Sequence, residues 1–505
     1  LHSAWHRKIA QAICAKSRRG CGTWLNYLTQ SRCSVPGSRR LSAAITASLR
    51  HYTQIRVAIS SEFAVQLTAR LREEDPMRFS ILVLTCIPML EAAGAAQVTF
   101  YKDVLPVLEK NCQGCHRTGE AAPMTFGDYQ STRPWAKAIR SVVIARKMPP
   151  WLADPHFQKF SNDRSLSEAD VKTLVAWADN GAPEGNAKDA PQPVHWVEGW
   201  SIGQLDAVIE MPQAFEVPAS GTIEYQYVII PTGFTEDKWV KLAEVRPGDR
   251  SVVHHVIAFI RPKGSKWLAG EQTGVPFVPG RPARGANDSQ EGSSMLGSEL
   301  LVGYAPGMPA QICPENSAKL LPAGADIVFQ MHYTANGKAA TDKTRIGLAF
   351  AKEPPKLRDI TMSAANNRFR IPAGDPAYEV RSQITLQADT ELVSMMPHMH
   401  LRGKDFVYKV VYPTGETETV LNVPRYDFAW QLVYSLEKPL TMPKGTRMEC
   451  LAHFDNSPNN KFNPDPSIEV RWGDQSWDEM MIGWFDVVVP ANTDPARLVH
   501  VTAGE

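Results

Sequence analysis

The sequence predicts a multidomain protein in which a small helical unit precedes two antiparallel β-regions of sandwich or jelly-roll class. Three observations predict it. At 505 residues the chain exceeds what one hydrophobic core can serve. Its 38 prolines and 33 glycines favour a turn-rich, largely β-architecture over a helical bundle. Apolar residues at helical spacing gather between residues 97 and 180, whereas later strand-like runs alternate with turn signals. An apolar content of 43% with 21% charged residues argues for an ordered chain.

Charge is uneven. Residues 1–76 hold 12 Lys and Arg against 4 Asp and Glu, although the whole chain carries only +1. The remainder is therefore acidic, which argues against a nucleic-acid partner. No methionine precedes Met77; Met77-Arg78 then leads into the apolar run Phe79–Leu90 and the small residues Ala93-Gly94-Ala95-Ala96. A charged start, a short apolar core and a small-residue cleavage site are the anatomy of a secretory signal peptide, and the run is too short to span a bilayer. We expect 77–96 to be that signal, cleaved near Ala96 or Gln97, and 1–76 to be spurious upstream sequence rather than a genuine basic extension. The expected location is periplasmic or extracellular, with no transmembrane span. Cys14, Cys21, Cys33 and Cys86 would then be absent from the mature chain, leaving Cys112, Cys115, Cys313 and Cys450.

The helical unit is expected over 97–180. Val104, Leu105, Val107 and Leu108 recur at helical spacing and deliver the chain into Cys112-Gln113-Gly114-Cys115-His116. This pattern sets two thiols one helical turn apart for thioether bonds to haem c, and the next residue offers an imidazole to the iron. Structural zinc is the rival, but no second Cys/His pair lies nearby to complete a tetrahedron. Leu166–Asn180 reads as a closing helix with Ser165 as N-cap and Ser165-x-x-Glu168 as a capping box. The stretch resembles the small c-type cytochrome domains of exported bacterial proteins. That resemblance implies a methionine from a later loop as the second axial ligand: Met148, between Lys147 and two prolines, with His156 as the rival; Met124, eight residues past His116, reads as packing. The Pro/Gly-rich segment 181–195 reads as a linker.

Two β-regions are expected beyond it, 196–356 and 357–492, divided at Lys352-Glu353-Pro354-Pro355-Lys356 and followed by a tail at 493–505. Strand-like runs include Lys238–Glu244, Ser251–Ile260, Asp326–Tyr333, Tyr378–Thr385 and Thr446–His453, with hairpin signals at Asn336-Gly337 and Pro413-Thr414-Gly415. In a strand, residues i and i+2 share a face, so His398 and His400 make a two-imidazole grip. His254 and His255 would ordinarily face opposite ways, and both can reach one ion only if the strand twists or bulges or one imidazole coordinates through a different nitrogen. His332 and Met480 lie in further runs. Imidazole suits copper and zinc, while a thioether favours Cu(I). Two centres are therefore expected: His254, His255 and His332 for a copper that cycles one electron, and His398, His400 and Met480 for a copper that binds dioxygen.

Five motifs recur in order and at similar spacing in one group: Val253-His254-His255-Val256, Gly303-Tyr304-Ala305-Pro306-Gly307, Gln330-Met331-His332-Tyr333, Pro397-His398-Met399-His400 and Asp478-Glu479-Met480. Over about 205–490 the chain resembles the copper type II, ascorbate-dependent monooxygenase family, which includes the peptidylglycine and dopamine monooxygenases. The resemblance implies two tandem jelly rolls, the same division of copper ligands, and C–H hydroxylation with dioxygen and two electrons from ascorbate or a redox protein. A fused haem could relay those electrons. The peptide-hydroxylating relatives hold their substrate carboxylate with an arginine, an asparagine and a tyrosine where this chain has Met396, Ile482 and Trp484. Those side chains cannot pair a carboxylate, so a small organic substrate is expected instead. Met481 replaces the cysteine that would partner Cys450, so Cys313 and Cys450 are expected to be free; His453 is expected to be structural. A non-catalytic haem/copper electron-transfer or copper-handling protein is the alternative reading, and a zinc hydrolase is opposed by the Met480 thioether.

Overall fold

A computed structural model describes residues 97–279 and 299–500. The expectations for 1–76, for the signal at 77–96 and for the end of the tail lie outside the described residues. The described residues belong to one compact unit that begins at Gln97.

A small helical region comes first. A π-helical turn, Phe100–Val104, runs into the helix Leu105–Asn111, and the helices Tyr129–Thr132, Ala136–Ile144 and Glu168–Asp179 follow. Phe100, Leu108, Leu174 and Trp177 are fully buried at its centre. The last helix starts two residues later than its sequence suggests. Ser167, not Ser165, accepts from Asp170 N at 3.1 Å, while Ser165 N is held by Asp163 Oδ1 at 2.7 Å. Two serines compete for the cap, and the acidic turn at Asp163 takes the first. The expected linker begins as part of this unit: Pro183 O accepts from Phe100 N and from Trp177 Nε1, both at 3.0 Å.

The rest is an extensive, multi-sheet β-region of sandwich type. In the first half, a four-stranded antiparallel sheet runs in the order Gln226–Pro231, Asp326–Tyr333, Val253–Arg261, Glu299–Tyr304. In the second half, Thr417–Val423, Gly403–Val411, Arg447–Phe454 and Tyr378–Leu386 form another, extended by Val499–His500. One long sheet backs both. It carries Arg345–Phe350, Lys238–Arg246 and Ser317–Leu321, then Leu357–Asn366, Met481–Pro490, Thr390–His398 and Tyr434–Met442. The turn at 352–356 thus separates the halves in sequence only. Leu357 and Arg358 pair in parallel with Ser317 and Ala318, which makes the sheet continuous.

Each half has its own apolar core, and a third cluster fills the space where the halves meet. Tyr227, Phe259 and Val328 of the first half meet Met396, Ile482 and Trp484 of the second there. This explains why nearly every residue of Val253–Arg261 is buried: one face serves its own sandwich, the other serves the second half. The segment after the third helix also crosses over. Trp151, Leu152 and Phe160 pack on the second core, and Phe160 bridges to Leu436. Among the described residues, no helix is long and apolar enough to cross a membrane.

Candidate metal centre

The five sequence-singled histidines converge where the halves meet. In the first half, His255 lies directly opposite His332 in adjacent strands. The register slips between Val253 and His255, so His254 is the extra residue of a β-bulge. The bulge turns two adjacent imidazoles to one side. His254 Nδ1 and His255 Nδ1 stand 3.2 Å apart. Two nitrogens each about 2.0 Å from one tetrahedral ion would be about 3.3 Å apart, so the pair is spaced as co-ligands. His332 bonds Ser476 Oγ through Nε2 at 3.3 Å and leaves Nδ1 without a partner. One nitrogen from each ring lies within 4.8 Å of the others, a group that could hold a metal ion.

The second group is built differently. His398 Nδ1 meets Gln431 Oε1 at 2.7 Å, and His400 Nδ1 meets Asp478 O at 3.3 Å. Each Nδ1 is taken, so Nε2 is the nitrogen left for a ligand; that of His400 is buried and unpartnered. Met480, 2% exposed, follows Asp478-Glu479 and lies in the apolar cluster between the halves. Glu479 anchors the loop: its carboxylate accepts from His400 N at 2.8 Å and Arg402 N at 2.6 Å. Burial pushes the Glu479 carboxyl up to about 8 against those bonds. Arg402 donates onward to Asn456 Oδ1 and Trp477 O, both at 2.9 Å.

The two groups are neighbours. The rings of His255 and His398 lie 6.5 Å apart, and Gln431 spans them, its Nε2 3.4 Å from His255 Nδ1. Tyr225 and Phe428 touch members of both groups. Burial drives every imidazole toward its neutral form: His254 and His398 fall to about 4, and His255, His332 and His400 fall well below the usual range. Neutral imidazole is the ligating form. An unsatisfied buried polar atom costs about 1–3 kcal/mol. Unpartnered His332 Nδ1 and His400 Nε2 within one cluster are therefore a cost that a bound cation would relieve. Imidazole donors of this kind suit copper or zinc.

No family model matches the chain, and no curated protein does. Solved structures match at low similarity. An infectious bursal disease virus structure of the Gx strain is 8% identical, with 61% of this chain and 77% of that chain covered and a TM-score of 0.17. An allantoicase structure is 10% identical, with 48% and 79% covered and a TM-score of 0.14. Likenesses of this order carry no argument.

The Cys-x-x-Cys-His segment closes the first long helix. Cys115 N and His116 N bond Cys112 O at 3.1 and 2.9 Å, so one turn of backbone presents both thiols and the imidazole. His116 Nδ1 meets Met124 O at 3.3 Å and its ring stacks on Phe126 at 4.4 Å, which leaves Nε2 free for an axial bond. Cys112 and Cys115 are unbridged, and burial pushes the Cys112 thiol up to about 12. The donors fit a thioether-linked haem. Met148 is half-buried on the loop after Ala136–Ile144. His156 is exposed and held by Asp154 at 2.5 Å.

This segment rests on the first β-half. Glu120 pairs with Arg250, and a Cβ on Gly307 would come within 3.1 Å of Cys115 Sγ. Cys313 and Cys450 are free and buried, and His453 is held by Asp405 at 2.7 Å, a structural role. Sequence reasoning missed Gln431, Glu479, Ser476 and Phe428. Glu479 alone had a signal, its place beside Met480.

Proposed function

We propose that the protein is an exported copper-dependent monooxygenase that hydroxylates a C–H bond of a small organic molecule, with electrons delivered through an attached haem c. The observation that carries this reading is the pair of complementary donor sets at one interface, Nδ1-facing in the first half and Nε2-facing with Met480 in the second. The finer architecture that accompanies it is a cytochrome c-like module followed by two jelly rolls. Bound copper would supply dioxygen activation and one-electron transfer, and bound haem one-electron storage.

The chain's own residues do the rest. Gln431 and the Asp478 carbonyl fix the imidazole tautomers of His398 and His400. Glu479 holds the backbone between those ligands. Met396, Ile482 and Trp484 cover the approach and exclude water, since they are at most 8% exposed. Dioxygen and an external donor, ascorbate or a redox protein, complete the reaction. Electrons have a short protein route from the haem segment: Gly307 abuts Cys115, Tyr304 pairs across strands with Val256, and Val256 adjoins His255.

Metal analysis and copper EPR on purified protein test the reading, together with oxygen uptake under ascorbate scored against hydroxylated product. Two coppers, one covalent haem and coupled product are expected. Copper and haem without coupled product would favour the electron-transfer or copper-handling alternative. Zinc in place of copper would overturn both.

A further inference from the structure

The second histidine group straddles the end of its strand. His398 is the last residue of Thr390–His398 to pair with a neighbour, opposite Ile482. Met399 is fully buried and lies beyond that ladder, so its N–H and C=O need partners that no strand supplies. One phenol supplies both. Tyr426 Oη accepts from Met399 N at 3.1 Å and donates to Met399 O at 2.8 Å. A facing antiparallel strand would exchange the same two bonds through two backbone groups. A hydroxyl makes both alone, because it donates and accepts.

Tyr426 is itself fixed at both ends. Its N–H donates to Lys404 O at 2.8 Å. Its ring fills the space that Gly403 leaves by having no side chain: a Cβ there would come within 2.7 Å of Tyr426 Cδ1 and 2.8 Å of Met399 Cβ. The Met399 side chain is packed in the core of the second half. The residue between the two ligands is therefore held at its N–H, its C=O and its side chain. Other partners decide how each ring turns, Gln431 on His398 and the Asp478 carbonyl on His400. The spacing of the rings, whose centroids lie 5.2 Å apart, is left to the backbone between them. Tyr426 belongs to the segment joining Thr417–Val423 to Tyr434–Met442, which also supplies Phe428 and Gln431.

We propose that Tyr426 is a positioning residue for a metal ion at His398 and His400: its hydroxyl stands in for a neighbouring strand and fixes the spacing of the two imidazoles. The metal rests on the copper reading above; the hold on Met399 does not.

Tyr426→Phe keeps the ring and deletes both bonds. In the full chain without metal, hydrogen–deuterium exchange should rise over 396–402 and stay unchanged over 253–256 and 330–333. With Cu(I) as the probe, chelator competition should show the second group weakened by about tenfold or more, with the first group unchanged. The same competition in the His332→Ala background reads the second group alone. Gly403→Ala, which keeps the hydroxyl but crowds it away from Met399, should weaken the same group in the same direction. A tyrosine that only stabilises the fold would lower the melting temperature and weaken both groups together. That result, or unchanged exchange over 396–402, overturns the proposal. Cu(I) held equally well by the second group in Tyr426→Phe and in the unaltered protein overturns it too, and leaves the copper reading standing. If the unaltered protein takes up no Cu(I) at His398 and His400 while exchange over 396–402 still rises in Tyr426→Phe, the copper reading falls and the hold on Met399 stands.

Discussion

The two histidine groups meet at one interface but are built on opposite principles. In the first half, the backbone does the aiming: a bulge at His254 breaks the strand register and swings two consecutive rings to one side. In the second half, the strand is regular from Ser394 to His398, and side-chain partners do the aiming by occupying Nδ1 of both rings. A strand offers one ligand face for every second residue, so adjacent ligands need a backbone defect and alternate ligands need none. The nitrogen left free then follows from what the rest of the ring touches. The first group is all imidazole, whereas the second has a thioether nearby, so the two should differ in their preference for Cu(I).

The sharpest way to break this comparison is to remove one ligand from each side. His332→Ala should cost one copper equivalent by metal analysis, abolish coupled product and stall haem reoxidation, while the second group keeps its ion. Met480→Ile should leave the first copper's EPR signal in place, weaken Cu(I) at the second group and abolish oxygen chemistry. Unchanged turnover in Met480→Ile would mean that the thioether is only part of the apolar cluster. His453 is no replacement for it, because Asp405 already holds that ring.

Gln431 tests whether the groups are independent. Its Oε1 takes His398 Nδ1 and its Nε2 approaches His255 Nδ1. Loss of a partner that orients a ligating imidazole typically costs 10–100-fold in metal affinity or activity. Gln431→Ala should therefore weaken the second group by about that factor, with a smaller effect on the first, where the contact is longer. Competition with a Cu(I) chelator reads both. An equal loss at the two sites would show that Gln431 couples them.

How far these groups could be read from sequence follows the same division. His398 and His400 are visible from a period of two. His254 and His255 are visible as a pair, but their convergence depends on a slip of one residue against a partner about 80 positions away. Gln431 lies 33 residues from the ligand it supports with no local pattern to mark it, and Glu479, 79 residues from His400, is marked only by its place beside Met480. The joining of the halves was also hidden. Parallel pairing of Leu357 with Ser317 needs no hairpin, so no turn signal announces it. The strands themselves were legible, as Asp326–Tyr333 shows by matching its expected span. Cap choice between Ser165 and Ser167 was decided by Asp163, a local competitor that the capping-box pattern overlooks.

The smallest expected effect concerns which group receives electrons first. The segment that carries Cys112, Cys115 and His116 touches the first half through the Glu120–Arg250 pair and the Gly307 loop, and Arg250 lies four residues from His254. Both charged side chains are only 15–20% exposed, so solvent screens the pair little, but Glu120 keeps Arg117 at 2.7 Å when Arg250 is removed and no buried charge is left unpaired. It ties the Cys112–His116 segment to the strand that carries His254 and His255. Arg250→Ala should therefore leave the melting temperature and copper content nearly unchanged. It should slow haem reoxidation severalfold in stopped-flow mixing of the reduced protein with oxygen and substrate. Turnover with excess ascorbate should suffer less, since a small donor needs no docked haem. Unchanged haem reoxidation in Arg250→Ala would leave the Gly307 contact as the sole dock. Haem that stays reduced during normal turnover of the unaltered protein would remove the relay and leave the copper groups to an external donor alone.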